Sequence, residues 1–178
     1  MSAKAPMKRR EAGRTRGCTL YLVRHAIAAE RSDEWPDDSK RPLTHKGRAR
    51  MREVVRGLVA LGVEIDVVVT SPLVRAEQTA QIVVAGLTPK PILATLDALA
   101  PGHSPAAVAK ALEAHSGASA IALVGHEPGM GELAAWLIGA HTAIPFKKGG
   151  VARIDVATLP PHGSGQLVWV GTPRMLRR

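Results

Sequence analysis

The chain has 178 residues, 46% of them hydrophobic but only 3% aromatic, and a formal net charge of +9. That length fits one domain whose core is built from Val, Leu, Ile and Ala. A single cysteine, Cys18, excludes an internal disulfide, and no apolar run is long enough for a signal peptide or a membrane span. The expectation is a cytoplasmic, monomeric protein without membrane contact.

Much of the charge is local. Residues 1–17 hold Lys4, Lys8, Arg9, Arg10, Arg14 and Arg16 against Glu11, which is +5 of the +9. With no hydrophobic periodicity and no interleaved aromatics, they read as a disordered basic arm ahead of one domain, 18–178. Nucleic acid is not the expected partner.

The domain opens on Thr19-Leu20-Tyr21-Leu22-Val23-Arg24-His25-Ala26, an apolar and β-branched run that stops in an arginine and a histidine. This reads as a buried strand delivering Arg24 and His25 to its C-terminal end, where open α/β sheets bind ligands. Ala26 to Pro42 is polar and Pro-containing, a long loop over the crevice that ends in Arg41-Pro42-Leu43-Thr44. Thr44 is the expected N-cap of a helix whose apolar face is Met51, Val54, Val55, Leu58 and Val59, with Arg48, Arg50, Arg52 and Arg56 as a solvated face. Gly62 ends it.

A second strand, Asp66 to Thr70, runs into Ser71-Pro72-Leu73-Val74-Arg75. Ser71 followed by Pro72 reads as a cap with proline at the first helical position, which puts Arg75 in the first turns of the next helix. There the exposed amides favour an anion. Pro91 to Leu96 is a short third strand at or near an edge. Ser104-Pro105 repeats the cap-plus-proline start for a helix through Val108, Ala111 and Leu112.

Ala120 to Val124 is a strand ending in Gly125-His126-Glu127-Pro128, followed by a helix with Leu133, Ala134, Leu137 and Ile138. Val151 to Val156 and Gln166 to Val170 are two further strands, the last of them antiparallel candidates. Alternating strands and helices indicate a three-layer α/β/α sandwich around a mainly parallel sheet. Trp136 and Trp169 are expected in the core and Trp35 in the crevice loop. His45, His103, His115, His141 and His162 read as ordinary solvated residues, with His103 in the loop beside the crevice.

Three strand ends therefore supply Arg24, His25, Arg75 and His126. Two arginines and two histidines at helix starts make a site for a dianion: the arginine fork donates two parallel charge-assisted bonds to a phosphoryl group, and a neutral histidine can act as a nucleophile. There is no Gly-rich P-loop, no GxSxG elbow and no metal-ligand spacing. Metal-independent phosphoryl chemistry, with no cofactor, is the reading.

The blocks Leu22-Val23-Arg24-His25-Ala26, Arg41-Pro42-Leu43-Thr44, Ser71-Pro72-Leu73-Val74-Arg75-Ala76-Glu77-Gln78-Thr79 and Gly125-His126-Glu127-Pro128 resemble, in order and spacing, the histidine phosphatase superfamily. The likeness is to its phosphoglycerate-mutase-like fold and its small SixA-type phosphohistidine phosphatase branch. The resemblance covers Thr19 to the C-terminus and implies that His25 attacks phosphorus and is transiently phosphorylated. Arg24, Arg75 and His126 would hold the equatorial oxygens, and a His-phosphorylated phosphorelay or phosphotransfer protein would be the substrate.

The chain departs from the family at Ala26, where glycine is usual, and at Ala98, where a glutamate able to act as general acid is common. Asp97 and His103 remain as candidates for an acid or a substrate contact, while Glu77 reads as a local structural residue. A site without a strong acid favours P–N cleavage, because an imidazole protonated at its other nitrogen leaves neutral. The competing readings are a phosphatase for small phosphomonoesters and a phosphate-recognition module without turnover.

Overall fold

A computed structural model describes residues 17–161 and 165–177. The basic arm up to residue 16, and His162, lie outside the described residues.

Six strands form one sheet in the order β3-β2-β4-β1-β5-β6. They are β1 (Cys18–Arg24), β2 (Val67–Thr70), β3 (Ile92–Thr95), β4 (Ala120–Gly125), β5 (Val151–Val156) and β6 (Gln166–Gly171). β1, β2, β3 and β4 run parallel, whereas β5 is antiparallel to both β1 and β6. The three strands that carry site residues are thus immediate neighbours. Their register aligns the ends: Arg24 sits opposite Gly125, and Thr70 opposite Val124.

The helices are α1 (His45–Ala60), α2 (Val74–Gly86), α3 (Pro105–Ala111), α4 (Gly129–Ile138) and the short α5 (Pro173–Leu176). Strand alternation sorts the apolar side chains into two cores. Tyr21, Val23, Val68, Ala122 and Val124 face Met51, Val54, Leu58, Ala80 and Val83 of α1 and α2, while Leu20, Leu22, Val69, Ile121 and Leu123 face Val108, Leu133 and Leu137 of α3 and α4. Each fully buried leucine stabilises the fold by roughly 1.5–3 kcal/mol, so the sheet is held from both sides. This is the expected three-layer sandwich. No helix among the described residues is long and apolar enough to cross a membrane.

Two expectations need correction. Ser71 does not cap α2: the helix begins at Val74, with Leu73 at the cap position and no side-chain cap bond. The Ser71 hydroxyl is engaged by a histidine instead. Trp136 is 42% exposed, on the outer face of α4, because Leu133, Ala134 and Leu137 already fill the inner face. Trp169 is half-buried against Tyr21, with ring centroids 6.2 Å apart.

The N-terminus of α1 is pinned to the chain just after β1. Thr44 caps the helix by accepting from the Gly47 N–H, and its own N–H donates to the Ile27 carbonyl at 3.0 Å. A Cβ on Gly47 would collide with that same carbonyl. Because the obstacle is backbone and Ile27 lies two residues beyond His25, Gly47→Ala is expected to cost about 2–4 kcal/mol and to impair activity with it. Thermal melting measures the loss, and an unchanged midpoint would contradict this seating of α1.

Candidate active site

The residues following the three aligned strand ends are bound to one another before any side chain is considered. The His25 N–H donates to the Gly125 carbonyl at 2.9 Å, and the Ser71 N–H to the Val124 carbonyl at 3.0 Å. His25, Ser71 and His126 are therefore forced together by backbone pairing. The two imidazoles stand with ring centroids 5.1 Å apart. His25, Arg75 and His126 are each at most 6% exposed.

The tautomer of His25 is set by geometry. Its Nδ1 lies 2.7 Å from the Ala26 carbonyl oxygen, which can only accept, so Nδ1 carries the proton and Nε2 keeps its lone pair. Burial, opposed by the bond to Ala26 and aided by the positive charges of Arg75, Arg24 and Arg41, lowers the pKa of His25 to about 4. The ring is neutral at physiological pH.

His126 is held from the other side. Its Nε2 lies 2.8 Å from Ser71 Oγ, and that oxygen also accepts from the Leu73 N–H at 3.3 Å. A Ser71 hydroxyl that donates to His126 Nε2 leaves the ring proton on Nδ1, where an anion's oxygen can accept it. Burial, then the neighbouring His25 and Arg75, push the His126 pKa down to about 3.

The arginines are oriented by main-chain oxygens and by one carboxylate. Arg24 Nη1 donates to the Phe146 carbonyl at 2.6 Å. Phe146 is itself fixed by Glu127, whose two carboxylate oxygens accept from the Phe146 and Gly131 amides. Glu127 is thereby committed to the backbone. Arg75 donates to the Asp38 carbonyl at 2.7 Å and pairs with its carboxylate at 3.0 Å. The same carboxylate takes Arg41 Nε at 2.9 Å and Arg31 Nε at 3.1 Å. Burial would raise the Asp38 pKa, but the bonds from Arg41 and Arg31 and the charge of Arg75 outweigh it and hold it at about 2. The loop over the crevice is thus tied down on Arg75.

The block after Arg75 also anchors this loop. Gln78 Oε1 accepts from the Leu43 N–H at 2.8 Å, and Thr79 Oγ1 from the Ala26 N–H at 3.1 Å. Glu77 makes no such bond and is half-buried.

Among the described residues, the buried side-chain nitrogens without a hydrogen-bond partner are Arg24 Nε, Arg75 Nε and His126 Nδ1. A buried donor left unpaired costs about 1–3 kcal/mol, so such nitrogens beside His25 favour an acceptor-rich anion. Among the same residues no three His, Cys, Asp or Glu side chains are grouped as metal ligands.

The crevice continues into a hollow of about 470 Å³ lined by His126, His103, Ala98 and the start of α4. His103 is exposed there, while Asp97, in a short 3-10 turn, is exposed and does not line it. Of the other histidines, His45 and His141 are exposed and His115 is half-buried. Sequence reading passed over three contributors: Arg41, whose charge reaches both imidazoles, Asp38, which clamps the arginines, and Ser71, which was assigned to a helix cap. Arg41 stood in a block already singled out, and its place at the end of a loop over the crevice was the available signal.

Residues 20–99 match the family model of the histidine phosphatase superfamily (branch 1). Phosphohistidine phosphatase SixA of Escherichia coli K12 is 31% identical over 160 residues, covering 89% of this chain and 96% of that protein. An uncharacterized protein of Picosynechococcus is 37% identical over 164 residues, covering 88% and 98%. Among solved structures, the protein histidine phosphatase SixA complexed with tungstate superposes with a TM-score of 0.79 at 28% identity, covering 89% of this chain and 99% of that one.

Proposed function

The chain belongs to the histidine phosphatase superfamily, and on that premise we propose that it dephosphorylates phosphohistidine carried on a protein, with His25 as the transient phosphoryl acceptor. The observation that carries this reading is that three buried nitrogens, on Arg24, Arg75 and His126, lack hydrogen-bond partners beside a neutral imidazole whose Nδ1 is engaged by the Ala26 carbonyl. A phosphoryl group supplies the acceptors those donors lack and the electrophile that the Nε2 lone pair needs.

In the first step His25 Nε2 bonds to phosphorus as the P–N bond of the substrate breaks, its electron pair leaving with the substrate imidazole. Arg24, Arg75 and His126 hold the equatorial oxygens and balance the charge of the transition state, with Arg41 contributing from the loop. In the second step water attacks phospho-His25, releasing inorganic phosphate and returning the neutral ring.

The choice of a P–N substrate rests on the acids. Glu127 is bound to two amides and Asp38 is held ionised among arginines, and the family resemblance implies a glutamate where this chain has Ala98. A departing imidazole of pKa ~6.5 tolerates this, whereas an alkoxide does not.

The test is phosphate release, in chelator, from a histidine-phosphorylated carrier protein and from a sugar phosphate. kcat/KM on the phosphohistidine is expected to exceed that on the sugar phosphate by at least about 10²-fold, the usual worth of a general acid. Equal or better turnover of the sugar phosphate overturns the substrate class. Binding of the phosphoprotein without turnover overturns the activity itself.

Ser71 enters as a positioning residue. Without its hydroxyl the proton of His126 is no longer confined to Nδ1, so Ser71→Ala is expected to lower kcat about tenfold, the equivalent of one hydrogen bond of about 1.4 kcal/mol. Nitrogen-15 shifts of the ring report the tautomer directly. A His126 that stays protonated at Nδ1 in Ser71→Ala would contradict the assignment.

A further inference from the structure

Beside the crevice, on the α1 and α5 side, lies a second hollow of about 460 Å³. Six of its lining residues are cationic, namely Arg24, Arg50, Lys147, Lys148, Arg174 and Arg177, and none is acidic. Lys147, Lys148 and Arg174 are exposed, and Arg50 and Arg177 are half-buried. Among the described residues, the ion pair made by this group is that of Arg177 with Glu53, a long 3.8 Å contact. The floor is apolar, formed by Ile27, Met51, Val54 and Pro173.

This surface is continuous with the catalytic strand end. Lys147 directly follows Phe146, whose carbonyl holds Arg24, and the Gly149 N–H donates to the carbonyls of both Arg24 and His25 at 3.1 Å. Across the crevice the charge reverses: the hollow reached through His126 is lined by Glu127 and Glu132 and by no lysine or arginine. The rim of the site is therefore polar in the electrostatic sense, basic toward α1 and α5 and mildly acidic toward α3 and α4.

We propose that the basic rim formed by Arg50, Lys147, Lys148 and Arg174 is the docking surface for an acidic face of the phosphohistidine-bearing protein. The proposal rests on the reading of the substrate given above. A protein face suits the patch better than a nucleic acid does, because its lining contains no aromatic on which a base could stack, and an apolar floor between cations matches carboxylates spaced around aliphatic side chains. Rim charges of this kind act on encounter more than on residence, and salt screens them over about 8 Å at physiological ionic strength. The asymmetry of the rim also orients the substrate, placing its acidic face over α1 and α5 and its phosphorylated imidazole over His25.

The experiment compares wild type with the triple variant Lys147→Gln, Lys148→Gln, Arg174→Gln on two substrates, a histidine-phosphorylated carrier protein and a small aryl phosphate, at low and at physiological salt. The expected result is a loss of kcat/KM on the carrier of about tenfold or more at low salt, with a flattened salt dependence. On the aryl phosphate, turnover should change less than about threefold, since the docking surface is not used. Equal losses on both substrates, or none on the carrier, overturn the docking surface. A wild type that hydrolyses the aryl phosphate but not the carrier refutes the substrate reading, and the docking surface with it. If instead the three residues govern salt-dependent binding of single-stranded nucleic acid while carrier turnover is indifferent to them, the patch has another partner and the proposal fails.

Discussion

His25→Ala is expected to lower phosphate release from a histidine-phosphorylated carrier by at least about 10⁴-fold, the scale on which loss of a covalent nucleophile is felt. The reason is specific to Nε2. The Nδ1 proton is fixed on the Ala26 carbonyl, so a single ring nitrogen has a lone pair to offer, while the Nε2 of the neighbouring His126 is engaged with Ser71. The substitution removes a ring without severing the backbone bond from His25 to Gly125, so the variant is expected to fold and to keep phosphate or tungstate binding through Arg24, Arg75 and His126. Retained anion binding with lost turnover separates a chemical role from a structural one.

The pH profile follows from the same ring. With its pKa lowered to about 4, chiefly by burial, His25 is neutral above that value, and the activity of the wild type should stay level down to about pH 5.5 rather than fall through 6.5. Stability runs the other way. The unfolded chain takes up a proton on this histidine near pH 6.5 and the folded protein does not until about 4, so stability contributed by the neutral buried ring is lost as pH falls through that window. An acid limb of kcat/KM centred near 6.5 with a substrate that does not itself titrate there would contradict the environment described for His25.

Arg75→Ala is the second large effect, with an expected loss in kcat/KM of about 10²–10⁴, as for other donors to a transition-state oxyanion or phosphoryl group. The side chain is 4% exposed, and two of its donors are taken by Asp38, which leaves a buried Nε–H and the remaining Nη protons for the anion. Arg75→Lys is expected to recover less than about tenfold of that loss, because an ammonium keeps the charge but lacks the Nε–H and the planar fork. Asp38 keeps Arg31 and Arg41 as partners in either variant, so the crevice loop should remain in place. Full recovery by lysine would mean that the charge alone matters and that the directed donors do not.

How much of this was legible in the chain depends on the range of the interaction. The strands β1, β2 and β4 announce themselves as short apolar runs, and because each ends abruptly in polar residues, Arg24, His25, Arg75 and His126 could be placed at one sheet edge without knowing a distance. Capping at Thr44 and Ser104 was equally local and took the predicted form, each accepting from the amide three residues on. Ser71 followed by proline has the same local grammar, yet its hydroxyl bonds a ring 55 residues away, and α2 starts later.

Asp38 shows the same limit. Nothing periodic marks it in a polar loop, and its clamp on Arg75 spans 37 residues. Trp136 lies outside the expected core because α4 turns only the face of Leu133, Ala134 and Leu137 inward. The basic rim was legible only in part: Lys147-Lys148 stand out in the chain as a basic pair able to meet an acidic partner or simply to be solvated, whereas Arg50 and Arg174 come from distant segments and join them only when α5 packs beside α1.

The most direct measurement is of the phosphoryl group in transit. Wild-type protein mixed briefly with a radiolabelled histidine-phosphorylated carrier, quenched in alkali and mapped by peptide, should carry label that is stable to base, labile to acid and located on His25. His25→Ala should carry none. Label on another residue, or rapid phosphate release by wild type with no label on the protein at any time, would contradict a covalent route through His25.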